Sequence, residues 1–93
     1  MPVDQNKLKG LLWSLEVTGW YDLADSVNAI ADIGEDHYMF LEAMFATGRL
    51  RTEPELTKYL DAIPKVDNDT AKRLRGLAIT GQHEAVDILL GLA

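Results

Sequence analysis

Apolar residues recur along this chain at helical spacing in six runs, and three of those runs close on the same dipeptide. Leu8, Leu11, Leu12 and Leu15 fall at i, i+3, i+4 and i+7, the spacing of one buried helix face, and Thr18-Gly19 stops them. Asp4 stands as the N-cap of that helix, with Val3 and Leu8 placed as a hydrophobic staple. Trp20, Leu23, Ala24, Val27, Ile30 and Ala31 share the next stripe, which predicts a helix over 20–33 ended by Gly34. The third run, from Asp36 to Thr47, is apolar almost all round, with Glu42 nearly alone as a polar break. A helix of that kind belongs at the centre of a bundle. The alternative is an exposed Met/Phe groove for a partner, because methionine adapts to varied surfaces.

The second half repeats the punctuation. Thr52-Glu53-Pro54-Glu55 is a capping box with proline in the first turn, and Leu56, Tyr59, Leu60 and Ile63 form the face that follows. Pro64 ends it. A fifth helix starts at Asp67 or Asn68, turns Ala71, Leu74, Leu77 and Ala78 inward and Lys72, Arg73 and Arg75 outward, and stops at Thr80-Gly81. The sixth buries Ala85, Val86, Leu89 and Leu90 and ends with the chain.

Glycine just past a helix end accepts the left-handed backbone that lets the last carbonyls find donors. The three Thr-Gly stops therefore predict three helix–turn–helix hairpins, six short helices in one all-α bundle over residues 1–93. Short connections favour antiparallel neighbours. Setting Gly19 on Gly81 matches Asp22 with Glu84 and Asp25 with Asp87, while the middle hairpin fits only after an insertion around Arg51. The stops lie 29 and 33 residues apart, and that inequality favours a closed bundle over a regular solenoid.

Composition narrows the class. At 47% hydrophobic and 26% charged, 93 residues suit one globular domain. There is no cysteine, which excludes a disulfide framework and thiolate metal sites and favours a reducing compartment. The first ten residues do not read as a secretory signal, and no apolar run is long enough to span a bilayer, so the expectation is cytoplasmic and without a membrane.

Charge is uneven. Residues 1–48 hold two basic against eight acidic side chains, whereas residues 49–93 hold seven of each, so the whole excess of −6 lies in the first half. Asp22, Asp25 and Asp32 line an outward stripe of the second helix, continued by Glu35 and Asp36, with Tyr21 beside them as an aromatic anchor. Such a stripe is either a solvated face or a docking surface for a basic partner, and it repels phosphate backbones within about 8–10 Å.

Other chemistry is thin. Asp67-Asn68-Asp69 starts like a calcium loop, but Lys72 stands where glycine is required and Ala78 where the bidentate glutamate is required. Glu35-Asp36-His37 would need His83 and further acids to hold a metal. No nucleophile motif, P-loop or dinucleotide glycine pattern occurs. No catalysis, metal or cofactor is expected. Arg49, Arg51, Lys65, Lys72, Arg73 and Arg75 form the one basic grouping, and with the Pro64 turn they give an alternative reading as a helix-turn-helix nucleic-acid-binding regulator. Proline in the turn and the acidic balance weigh against it.

Residues 74–90, LRGLAITGQHEAVDILL, resemble the last two helices of caspase-recruitment and related death-fold domains, over under a fifth of the chain. Gly19-Trp20-Tyr21-Asp22-Leu23-Ala24 is similar to the start of the second helix of a tetratricopeptide unit, although Leu12 replaces that family's small residue. Both resemblances imply protein-binding scaffolds without catalysis. The expected function is a non-catalytic interaction module, an acidic adaptor or inhibitor, that docks Tyr21, Asp22, Asp25, Asp32, Glu35 and Asp36 on a basic protein surface. A phage or mobile-element inhibitor that mimics nucleic acid is a further alternative, and self-association is compatible with the sequence.

Overall fold

Six α-helices follow one another in the computed structural model, which describes residues 5–48, 50 and 52–92. They are α1 (Gln5–Val17), α2 (Tyr21–Ile33), α3 (Glu35–Ala46), α4 (Glu53–Ala62), α5 (Asn68–Ile79) and α6 (His83–Leu90), with a 3-10 turn at Ile63–Lys65. No strand occurs among the described residues. The all-α bundle expected from the apolar spacing is the fold. The proposed cap and staple at Asp4 and Val3 lie outside the described residues, as do Arg49 and Arg51 of the basic grouping.

The Thr-Gly stops work through both residues. Gly19, Gly48 and Gly81 carry φ of +84°, +73° and +76°. At the first and third, the next amide reaches back across the helix end, Trp20 N–H to Leu15 O at 2.8 Å and Gln82 N–H to Leu77 O at 2.9 Å. Each threonine adds a second closure. Its hydroxyl donates to the carbonyl four residues back, Thr18 to Ser14 at 3.0 Å, Thr47 to Ala43 at 2.8 Å and Thr80 to Gly76 at 3.1 Å. Gly91 makes a fourth stop, without threonine. At φ +78° it lets Leu92 N–H reach Asp87 O at 2.8 Å, and the turn returns Leu92 to the core.

α3 is the centre of the bundle, and most of its Met/Phe surface is core. His37, Tyr38, Phe40, Leu41, Ala43 and Met44 are all buried on it. Its main neighbour is α5, and two contacts fix their relative direction. Near the start of α3, His37 Nε2 donates to Val66 O at 2.7 Å, just before α5 begins. Past the end of α3, Thr47 Oγ1 meets His83 Nε2 at 2.8 Å, just after α5 has ended. The two helices therefore run side by side in the same direction. Buried Ala71 and Ala78 on α5 and Ala43 on α3 keep side-chain bulk low on the two helices.

This corrects the expected hairpins in one respect. α1 packs on α2 and α5 on α6, but α3 and α4 are not among the well-packed pairs; α4 lies chiefly against α2. The reason is the apolar pattern. A helix that is apolar on every side needs several neighbours, and a returning α4 with one apolar face cannot cover it. The chain instead uses α4 and the 3-10 turn as a crossover that brings α5 alongside α3. Extents of 30 × 29 × 22 Å and a radius of gyration of 12.1 Å match a closed bundle, for which about 12 Å is expected at this length.

Asp67 caps α5, accepting from Thr70 N–H at 2.8 Å. The Thr70 hydroxyl, and then its amide, hold the carboxyl below its ordinary value of 3.8. A depressed folded pKa stabilises the fold above the unfolded value, and that contribution is lost as pH falls through the lower folded one. Asn caps equally well without a charge. The melting-temperature advantage of the native protein over Asp67→Asn should therefore shrink as pH falls from 6 to below about 4. An advantage that grows on acidification would reverse this assignment.

Candidate docking surface

α2 separates its residues cleanly into two faces. Leu23, Val27 and Ile30 are buried, and the opposite side presents Tyr21, Asp22, Asp25, Asn28, Ala29 and Asp32, all exposed. No lysine or arginine lies on α2, and Asp22, Asp25 and Asp32 form no ion pair with a described residue. Within α2 no cation offsets their charge. Glu35 and Asp36 lie differently. They sit beyond Gly34, half-buried in the first turn of α3, where a carboxylate favours the free amides of the helix start. The six residues expected as one site therefore divide into four on an open face and two that help start the central helix.

Two exposed apolar residues of the neighbouring α1 were not read from the spacing. Trp13 and Val17 are 65% and 64% exposed, and Tyr21, a few residues on, is 66% exposed. At 3.6 residues per turn, Trp13 and Val17 lie roughly 150–170° around α1 from the Leu8–Leu15 face. The signal was present in the sequence, because apolar residues at positions 13 and 17 break the polar outer face expected of α1.

The histidines are held apart. His37 is 1% exposed at one end of α3, its Nδ1 buried without a hydrogen-bond partner, while His83 bonds Thr47 beyond the other end. With the Thr47 hydroxyl proton committed to Ala43 O, the His83 Nε2–H is the donor in that pair. No group of three or more potential ligands is placed to hold a metal among the described residues.

The described members of the basic grouping differ in exposure. Lys65, Lys72 and Arg73 are exposed, but Arg75 is half-buried and borders a groove with Met39, Glu42 and Ala43 of α3. α4 and α5 are not a well-packed pair, whereas α3 lies along α5. The start of α5, the end of a recognition helix that would meet bases, bears Asp67 and Asp69. Among the described residues, no helix is long and apolar enough to cross a membrane. No family model, curated protein or solved structure matches the chain.

Proposed function

We propose that this protein is a non-catalytic interaction module, an adaptor or inhibitor, whose α2 face docks on a basic surface of another protein. The observation that carries the reading is the exposed Tyr21, Asp22, Asp25 and Asp32 stripe, which has no cation on its own helix and no ion pair to a described residue. Complementary charge of this kind steers encounter and sets orientation, while the aromatic ring supplies contact area. The same field disfavours nucleic acid and anionic membranes as partners. The absence of cysteine fits a partner met in a reducing compartment, the cytoplasm.

The test is capture by the immobilised protein from an extract of its source cells. Asp22→Lys, Asp25→Lys and Asp32→Lys together should abolish a capture that is weakened by salt, with a melting temperature within a few degrees of the native protein. These side chains are exposed, and exposed substitutions typically shift stability by within about 0.5 kcal/mol each. Undiminished capture by the triple variant would remove the acidic face from the mechanism.

A further inference from the structure

α1 has two apolar faces. Leu8 and Leu15 are buried against the bundle, and Leu11 and Leu12 pack at its edge. Trp13 and Val17 stand on the opposite side with nearly two-thirds of their surface in water. A helix apolar on both sides is the pattern of one sandwiched between two layers, and the described residues supply only one. Trp13 and Val17, four residues apart, form a short ridge about 6 Å long, and the chain then turns to present Tyr21 and the acidic stripe of α2.

We infer that Trp13, Val17 and Tyr21 are the anchor of the docking surface, and that the partner element seated there is an amphipathic helix edged with arginine or lysine. This rests on the docking function proposed for α2 and specifies its occupant. A side-chain ridge on one helix packs into the groove of another, which an apolar helix face provides. Arginine on the flank of that face would meet Asp22 and Asp25, and its guanidinium would also stack on the Trp13 or Tyr21 ring. A second copy of this chain is a poor occupant. A two-fold interface would set Glu16, Asp22 and Asp25 against their own equivalents, between molecules each carrying −6.

The probe is a synthetic peptide of about 18 residues built from Leu, Ala and Arg, with the leucines on one helical face and the arginines flanking them. The control has the same composition scrambled to spread leucine around the helix. The native protein should bind the patterned peptide at least about tenfold more tightly than the scrambled one. Trp13→Ala with Tyr21→Ala should erase that preference through a dissociation rate faster by about tenfold or more, leaving the association rate within about twofold. Asp22→Lys with Asp25→Lys should instead slow association and flatten its salt dependence. Equal affinity for the two peptides, or an unchanged dissociation rate in the aromatic variant, overturns the inference. If the aspartate variant still loses association in that case, the acidic docking face survives alone; if it does not, both readings fall. A native dimer in sedimentation that Trp13→Ala dissociates would assign the ridge to a second copy and likewise overturn the proposal.

Discussion

Phe40→Ala should lower the unfolding free energy by about 3–5 kcal/mol, the range for truncating a buried aromatic side chain. Phe40 is fully buried on α3, in the same cluster as Ile30, Leu41, Met44, Leu56, Ile63 and Leu74. These residues come from α2, α3, α4, α5 and the 3-10 turn, so a void there cannot close by moving one helix. Domains of this size have about 5–15 kcal/mol in total, so the variant should stand near the threshold of folding. At about 4–8 °C per kcal/mol, its melting point should fall by roughly 12–40 °C. Urea unfolding of the two proteins is the measurement, and a midpoint shift equivalent to under about 1 kcal/mol would contradict the central position of α3.

Ala78→Leu should destabilise by about 1–3 kcal/mol through overpacking. Ala78 is fully buried on α5, the helix that packs most extensively along α3, and three more carbon atoms have no space there without spreading the helices. The same change at Ala29, exposed on α2, should stay within about 0.5 kcal/mol, since leucine is nearly as good a helix former as alanine. Equal effects at the two positions would mean that α5 does not lie tightly against the core. Because the substitution is identical, helix propensity cancels and the difference reports packing.

What was legible in the sequence was local. The N-cap bond of Thr52, one half of the expected capping box, the N-cap at Asp67 and the three Thr-Gly stops act within four or five residues, so they can be read without knowing the fold. The pairing of α3 with α5 was not legible. An all-apolar α3 announces many neighbours but does not say which, and the rule that short connections join packed neighbours pointed to α4. His37 shows the same limit. In sequence it stands only as a candidate ligand beside Glu35 and Asp36, yet α3 has little solvent face, and the ring is buried with Nε2 on Val66. The likeness between the first and third hairpins also stops at sequence. Asp25 is exposed on α2, whereas its counterpart Asp87 is half-buried and accepts the Tyr59 hydroxyl from α4.

Of the candidate site, the acidic stripe was legible from its spacing, and its exposure followed. The aromatic ridge was overlooked because the inward leucines of α1 account for the helix by themselves. With those leucines set against the bundle, Trp13 and Val17 are left nearly two-thirds exposed. Among the described residues, the α1–α2 hairpin carries both exposed aromatic rings, Trp13 and Tyr21, and acidic side chains with no cation on their own helix.

The most direct test of that conclusion is photo-crosslinking in the source cells, with a benzophenone side chain placed singly at Asn28 on α2 or at Lys72 on α5. Both positions are exposed, and they sample the acidic face and the basic helix respectively. A docking surface on α2 predicts a discrete protein adduct from position 28 and none from position 72. An adduct from position 72 alone, or nucleic acid crosslinked there, would contradict it.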